Sequence, residues 1–273
     1  MKTITLPNSY SINHSPLRFA LILILLVLMC VAPLPEARAV TPAPDGGYPG
    51  FNTAEGDGAL QNLTSGASNT AVGFDALFSD TAGSNNTATG IGTLGSNRSG
   101  SDNTAIGFGA LLLNTTGPNN TAIGFEALFT NNTGFENAAI GSRALFANTS
   151  GFHNTADGFF ALSRNTTGNH DTATGDEALG SNTTGNFNTT NGGHSLENNT
   201  TGNGNTALGF GAGDNVRTAN NVICIGAGTD GANVAGDDGV SLRHLIRRGA
   251  ARGVRTAAAG DDARRFDALR EAR

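Results

Sequence analysis

Hydrophobic and polar positions along this chain repeat every 17 residues. When the chain is aligned on the glycine of an Ala–hydrophobic–Gly pattern, this glycine recurs at every seventeenth position from Gly56 to Gly226. A second glycine column and a leucine column keep the same period, from Gly66 to Gly202 and from Leu60 to Leu196. The consensus unit reads N-T-A-I-G-F-x-A-L-x-x-N-T-T-G-x-x. Three columns that stay in phase over this length indicate a stacked repeat architecture.

The composition of the unit favours β-structure over helix. Each unit contains two glycines and several Asn and Thr residues, which oppose helix and suit turns. We therefore predict two short strands per unit, N-T-A-I-G and the segment around A-L, joined by glycine-containing corners. Strands of successive units would pair in parallel about 4.8 Å apart. The predicted fold class is an all-β parallel solenoid of about eleven 17-residue rungs over residues 52–236.

Stacking would place each residue over its counterpart in the next unit, so that columns of like residues become ladders. One column predicts a ladder of side-chain amides, which stabilise stacked strands: Asn103, Asn120, Asn137 and Asn154. A second column predicts an aliphatic ladder: Ile106, Ile123 and Ile140. A third column holds β-branched residues suited to strands: Thr70, Thr87, Thr104 and Thr121.

Two features of the aliphatic column bear on the environment of the sheet. Neighbours in a strand point to opposite faces, so the adjacent pair Ala105 and Ile106 predicts that both faces are buried, the outer one by another copy of the chain. The column is interrupted by Asp157, Thr174 and Asn191. Because a buried carboxylate is costly, either water or an ion enters the interior at these units, or the array is locally loose. We favour looseness.

The two ends of the chain differ from the repeat. Residues 19–34 form an uncharged apolar run that follows Lys2 and Arg18 and precedes an A-x-A site, which is typical of a secretory signal peptide. We predict residues 1–39 as signal peptide and 40–51 as a Pro/Gly linker. Residues 237–273 form an Arg-rich tail, interpreted as a short native tail or as a truncated or out-of-frame end.

Charge excludes one class of partner. Residues 40–236 contain four Arg, no Lys and 15 acidic residues, so this part carries a formal charge of −11. Nucleic-acid binding needs clustered basic residues and is not expected. Once the signal peptide is cleaved, no stable membrane span is expected.

Candidate chemistry is sparse. His153 and His170 are 17 residues apart and should stack about 5 Å from each other, but no Cys or third His completes a metal site. We therefore predict no catalytic residue, no cofactor and no metal ligand, and no enzymatic activity. Cys224 falls in an alanine column and should fill a small buried slot. Glycosylation sequons recur with the repeat, for example at Asn114 and Asn165, and indicate modification only weakly.

The pattern NTAIGFGALLLNTTGPNNTAIGFEAL resembles the head repeats of trimeric autotransporter adhesins of the YadA type. It is even more similar to NTAIG-x-x-AL repeats of bacterial surface and phage-tail-fibre-like proteins. The resemblance covers about residues 52–236, and residues 221–226 resemble the altered terminal unit of such arrays. It implies a left-handed β-roll in which three chains wind together as a homotrimer. Residues 237–273 match neither the coiled-coil stalk and barrel of the adhesins nor a tail-fibre chaperone domain.

The repeat and the resemblance together predict an exported structural or adhesive fibre that acts by many weak contacts. We expect it to be secreted or at the cell surface, associated with the outer membrane, with an extracellular matrix protein or a polysaccharide as the candidate external partner. Two alternatives stay open. One is a spacer or scaffold of a phage-tail-like or envelope protein that lacks its C-terminal chaperone domain, and the other is an ice- or carbohydrate-binding solenoid.

Overall fold

The computed structural model describes residues 48–229 and 239–242. These residues form twelve β-strands of three residues each and contain no helix. The strands are β1 (Thr53–Glu55), β2 (Thr70–Val72), β3 (Thr87–Thr89), β4 (Thr104–Ile106), β5 (Thr121–Ile123), β6 (Ala138–Ile140), β7 (Thr155–Asp157), β8 (Thr172–Thr174), β9 (Thr189–Asn191), β10 (Thr206–Leu208), β11 (Ile223–Ile225) and β12 (Val240–Leu242).

All twelve strands belong to one parallel sheet whose strand order follows the chain order. Each strand pairs with the next in a register of 17 residues, so that Ala105 lies beside Ala88 on one side and Ala122 on the other. Sequential strands can be parallel neighbours only if the chain returns to the same end of the sheet after each strand, and each unit is therefore one turn of a coil. The predicted all-β parallel solenoid of about eleven turns is confirmed.

The second strand that we predicted in each unit is wrong, because the Ala-Leu segment is a turn. Leu111 and Leu128 have φ angles of 53° and 51°, in the left-handed region that bulky residues rarely adopt. Each leucine side chain is nevertheless completely buried, and the Leu111 amide donates to the carbonyl of Ala127 in the next turn. Burial of a leucine contributes roughly 1.5–3 kcal/mol, enough to offset a left-handed backbone that costs about 1–2 kcal/mol.

The core is a narrow stack of small side chains and one leucine per turn. The central residue of most strands is alanine, and it points inwards together with the Ala-Leu pair of the turn. These columns are almost completely buried: Ala71, Ala88, Ala105, Ala122, Ala139, Ala156 and Ala173 in the strands, and Leu77, Leu94, Leu111, Leu128, Leu145, Leu162 and Leu179 in the turns. Successive turns thus bury identical residues against one another.

The two glycine columns mark places where successive turns touch through the backbone. Gly107 has a φ of 124°, and a Cβ there would lie 2.5 Å from the carbonyl oxygen of Gly124 in the next turn. A Cβ on Gly117, in the second column, would lie 2.1 Å from the carbonyl oxygen of Gly134. Real Cβ atoms do not approach so closely, so glycine is required in both columns by contact between turns.

The described residues extend slightly past both predicted ends of the repeat. Strand β12 pairs in parallel with β11, and its residues fall within the predicted Arg-rich tail. Tyr48, in the predicted linker, forms an antiparallel bridge with Asn52. The predicted signal peptide and most of the predicted tail lie outside the described residues. Among those that are described, no helix could cross a lipid bilayer.

Candidate functional surfaces

The outer face of the sheet carries two columns of exposed apolar side chains, which together we call the apolar strip. One column is the last residue of each strand, and the other lies two residues further along. Ile123 is 37% exposed and Phe210 is 65% exposed, and the remaining members lie between them. The strip consists of Val72, Ile106, Ile123, Ile140, Leu208 and Ile225 in the first column, and Phe74, Ile91, Phe108, Phe125, Phe159 and Phe210 in the second.

Alanine and the following aliphatic residue point to opposite faces, as their adjacency predicts, with alanine inside and the aliphatic residue outside. Burial of the outer face by another copy stays a prediction. This position explains the interruption at β7–β9. Asp157 and Asn191 are exposed on the outer face, and Thr174 is half-buried. The strands here keep the 17-residue register. The prediction that the array is locally loose here is therefore wrong, and so is the alternative that water or an ion enters the interior at these positions. The Asp157 carboxylate lies on the outer face and not in the core.

The amide ladder predicted in the Asn103 column is present, and its residues are buried. The side-chain amide of Asn120 donates to the Asn103 side-chain oxygen at 3.2 Å, and that of Asn137 donates to Asn120 at 3.1 Å. Each oxygen also accepts the backbone N–H of the asparagine in the next turn, as Asn103 does from Asn120 at 2.9 Å. Every turn is thus tied to its neighbour through polar groups inside the coil.

A second buried amide ladder, which we did not predict, runs through the Asn of the N-T-T-G segment. Asn131 donates to the side-chain oxygen of Asn114 at 2.8 Å, and the pattern repeats in successive turns. The two ladders meet at the second glycine column, where the Gly134 carbonyl accepts from both Asn120 and Asn131 at 2.9 Å. These asparagines include the sequon residues Asn114 and Asn165, which are completely buried. A glycan cannot be attached there in the folded solenoid.

Each ladder contains one aspartate in place of asparagine. Asp171 interrupts the first ladder, and burial raises its pKa from 3.8 to about 7. Asp80 stands in the second ladder, where burial raises its pKa to about 6 and one carboxylate oxygen has no hydrogen-bond partner. In both cases desolvation outweighs the hydrogen bonds that the carboxylate accepts.

The rings of His153 and His170 have centroids 4.9 Å apart, the separation that their spacing predicts, and their planes are tilted by 34°. They belong to a column of rings that continues to Phe187, 4.8 Å from His170. His153 also contacts the Glu136 carboxylate, with Nδ1 and Oε2 2.9 Å apart. The surroundings of the pair are therefore aromatic with a single carboxylate, which suits a stacked surface better than a metal centre.

A different group of metal-binding residue types comes together elsewhere on the surface. Glu177 and His194 are counterparts in successive turns, and Glu197 follows His194 by three residues. His194 Nδ1 lies 2.8 Å from Glu197 Oε2 and 3.6 Å from Glu177 Oε2. The hydrogen bond to Glu197, reinforced by the nearby charges of Glu177 and Asp176, raises the pKa of His194. The two glutamates also line an open groove of about 500 Å³ that includes Arg143 and Arg164.

Hydroxyl groups form another exposed column, which we call the hydroxyl column. It follows the second threonine of the N-T-T-G segment and comprises Ser65, Ser99, Thr116, Thr133, Ser150, Thr167, Thr184 and Thr201. The preceding threonines in the segment direct their hydroxyls into the backbone, as Thr166 donates to the Thr183 carbonyl at 2.9 Å. The preceding threonines therefore stabilise the stack, while the hydroxyl column faces solvent.

Cys224 pairs with Ala207 in the sheet and is completely buried, so the predicted small slot is confirmed. Burial raises the pKa of its thiol to about 11, which keeps it protonated near neutral pH. Such a thiol packs as a small apolar group. Its low reactivity stays a prediction.

Comparisons of the chain with protein-family models, with curated proteins and with solved structures find no match. The Glu177–His194–Glu197 group could have been found in the sequence, because spacings of 17 and three residues bring side chains together in a 17-residue coil. Two histidines 17 residues apart are the more conspicuous metal-binding pattern, although a glutamate and a histidine at this spacing stack in the same way.

Proposed function

We propose that this chain is an exported surface fibre that associates with two further copies of itself and binds its target by many weak contacts. The observation that carries the proposal is the apolar strip, which the sheet presents to solvent along most of its length. A stacked coil of twelve strands is about 50 Å long. Its rigid body is suited to presenting the same group at regular intervals.

Self-association is supported by the size of the strip. Twelve large apolar side chains, each roughly half exposed, present on the order of 1,000 Å². Each partner in a stable interface buries about 800 Å². Eight of the twelve side chains belong to the turns of β2–β6, and an exposed apolar patch of several hundred Å² is characteristic of interaction sites. The three-chain stoichiometry and the left-handed coil come from the resemblance to adhesin head repeats.

The polar interruption of the strip would fix the alignment of the copies. Asp157 and Asp176 lie in its two columns, at the turns between the apolar segments β2–β6 and β10–β11. A shift between chains would place these carboxylates against apolar partners and desolvate them without compensation. In-register association keeps them together in one polar, hydrated zone. In coiled coils, a single buried polar residue specifies the register of the helices for the same energetic reason.

Sedimentation equilibrium tests the assembly directly. The wild-type chain should have about three times its monomer mass, and the double variant Ile123→Asp/Phe125→Asp should be monomeric. Leu113→Asp is the matched control, because Leu113 is 42% exposed but lies outside the strip. A folded wild-type monomer, or loss of assembly in the Leu113 variant alone, would overturn self-association through the strip.

External contact is proposed to use the hydroxyl column, which stays outside the strip. The body carries a charge of −11, so polyanions and anionic membrane surfaces should be repelled. Hydrogen bonds from neutral hydroxyls to a protein or polysaccharide depend little on salt. Each turn adds one weak contact, and affinity should rise with the number of turns.

Adhesion and spacing are distinguished by shortened proteins from which whole 17-residue turns have been deleted. Binding to immobilised matrix proteins and neutral polysaccharides should weaken progressively as turns are removed. Replacing Thr116, Thr133 and Thr167 by valine should weaken binding without changing the oligomeric mass. If neither the wild type nor the shortened proteins bind any of these surfaces, the array is a spacer, and the scaffold function replaces adhesion.

Export is proposed from the predicted signal peptide. The chain recovered from outside the cell should begin near Val40, after cleavage at Ala39. N-terminal sequencing or intact-mass measurement of the extracellular protein provides the test. Recovery of the intact leader only in the cytoplasmic fraction would contradict export.

A further inference from the structure

The turns that contain β8 and β9 carry, at variable positions of the repeat, three metal-binding residue types that meet on the surface. Glu177 and His194 occupy a column that is glycine in several other turns, including Gly109 and Gly211. Glu197 occupies a column whose member one turn earlier is Gly180. The absence of a side chain at Gly180 leaves open the space beside Glu177, and Gly180 lines the same groove as the two glutamates.

The distances among the three groups are close to those required around a small cation. Their candidate ligand atoms all lie within 4.8 Å of one another, with pairs at 2.8 and 3.6 Å. Zinc bonds to imidazole nitrogen and carboxylate oxygen are about 2.0–2.2 Å long, so two ligands of a tetrahedral ion lie about 3.4 Å apart. Small rotations of the half-buried carboxylates would bring all three atoms to this separation.

The backbone holds these side chains in place. The Glu177 amide donates to the Phe159 carbonyl at 2.8 Å, and the His194 amide donates to the Asp176 carbonyl at 2.7 Å. The carbonyl of the third residue, Glu197, accepts from the Ser181 amide at 2.9 Å, so all three ligand-bearing residues belong to the ladder of hydrogen bonds between turns. Metal binding would therefore have to fix only side-chain rotamers, because the backbone is already held.

The second nitrogen of the imidazole has a carboxylate neighbour. Asp176 Oδ2 lies 4.0 Å from His194 Nε2, on the side of the ring away from Glu197. Histidines that bind metal through one nitrogen usually direct the other N–H to a carboxylate or carbonyl, which fixes the tautomer and orients the ring. With the proton on Nε2, whose carboxylate neighbour Asp176 lies just beyond hydrogen-bond distance, Nδ1 keeps its lone pair on the side of Glu177 and Glu197.

We propose that Glu177, His194 and Glu197 bind one divalent transition-metal ion per chain, and that zinc fits the site best. One imidazole nitrogen and two carboxylate oxygens match the ligand preference of zinc, whereas calcium and magnesium favour sites made only of oxygen. Three protein ligands leave one position open towards the groove, and water fills it. All three ligands come from one chain, so the site does not require self-association.

The competing explanation is an ion pair in which a protonated His194 bridges two carboxylates. Zinc titration of the full chain against a chromophoric chelator distinguishes the two. The wild-type chain should bind one equivalent of zinc, and the His194→Ala variant should not bind it. Glu197→Gln should weaken zinc binding by at least about tenfold. Loss of a residue that merely orients a metal ligand already weakens binding by about this factor, and loss of a ligand should weaken it more.

His153→Ala is the matched control. His153 contacts one carboxylate, that of Glu136, and has aromatic rings as its neighbours where His194 has a second glutamate. The His153→Ala variant should bind zinc as the wild type does. Cobalt provides a second measurement, since a four-coordinate ion gives visible absorption that His194→Ala should abolish. Circular dichroism verifies that each variant is folded. A wild type that binds no zinc, or a folded His194→Ala and Glu197→Gln pair that binds as wild type, would overturn the proposal.

Discussion

Replacement of Asp171 by asparagine should stabilise the solenoid and remove much of its sensitivity to pH. At the corresponding position of the neighbouring turns, Asn154 and Asn188 donate to the carbonyls of Gly168 and Gly202, both at about 3 Å. The Asp171 carboxylate has no hydrogen to give the equivalent carbonyl of Gly185. It accepts from Asn182 and Asn188 instead, and these bonds do not compensate its desolvation.

The sign of the pH dependence follows from the pKa values. Burial raises the pKa of Asp171 from 3.8 to about 7, so the folded state binds this proton more tightly than the unfolded state does. Between these values the free energy of unfolding must fall as pH rises. The full stabilisation is present below about pH 4 and is lost as pH rises through about 7. The difference corresponds to roughly 4 kcal/mol, an upper limit because partial opening of the coil would relieve it.

Urea unfolding followed by circular dichroism at pH 5 and pH 8 measures the effect. Asp171→Asn should raise the unfolding free energy at pH 8 by up to about 4 kcal/mol and by clearly less at pH 5. Taking the difference from wild type at each pH cancels the contributions of Asp80 and His194. Asp102→Asn, at an exposed carboxylate, is the control and should change little. Equal curves for wild type and Asp171→Asn at both pH values would refute a buried, desolvated carboxyl.

Three further changes test the stacking itself. Deletion of one whole turn, Asn120–Glu136, should leave a shorter folded body. Deletion of only eight residues there should place leucine over asparagine in every later turn and unfold much of the coil. Equal circular dichroism spectra and melting temperatures for the two deletions would contradict the stacked architecture. Gly134→Ala should cost about 1–3 kcal/mol in urea unfolding, because its Cβ would lie 2.5 Å from the Gly151 carbonyl oxygen, while Gly193→Ala, with its nearest contact at 3.4 Å, should be nearly neutral. Cys224 should react slowly with a thiol reagent in the native protein, and rapid labelling would show that its slot is open.

The period predicted the fold because in a coil of fixed length each residue meets its own counterpart. From the 17-residue spacing follow the register of the sheet, the Asn103 ladder and the position of Cys224 in the alanine column. The turn at Leu111 could not be predicted in this way. A regular leucine column indicates burial but not backbone conformation, and the left-handed φ is tolerated only because the stack buries the side chain completely.

The inner and outer columns differ in a way that the sequence does contain. The strand centre accepts only small residues, with Thr190 and Cys224 as the largest, whereas the next position holds Ile, Val and Leu but also Asp157 and Asn191. A carboxylate is costly to bury, as the raised pKa values of Asp171 and Asp80 show, so Asp157 favours a position outside the coil for its column. The aliphatic majority of this column suggested burial, but its tolerance of a charged residue is the stronger indication and places the column outside.

A change of residue therefore has opposite consequences for stability in the buried columns and in the exposed columns. Inside, Asp171 disturbs a hydrogen-bonded ladder, and the buried hydroxyl of Thr190 has no partner, so each weakens the stack. Outside, the backbone ladders already fix the turn, and a changed side chain costs little stability. Glu177, His194 and Glu197 are changes of this second kind, and they converge on one point. The interior of the solenoid supplies its rigidity, and the variable outer columns are where side chains can change without disturbing the stack.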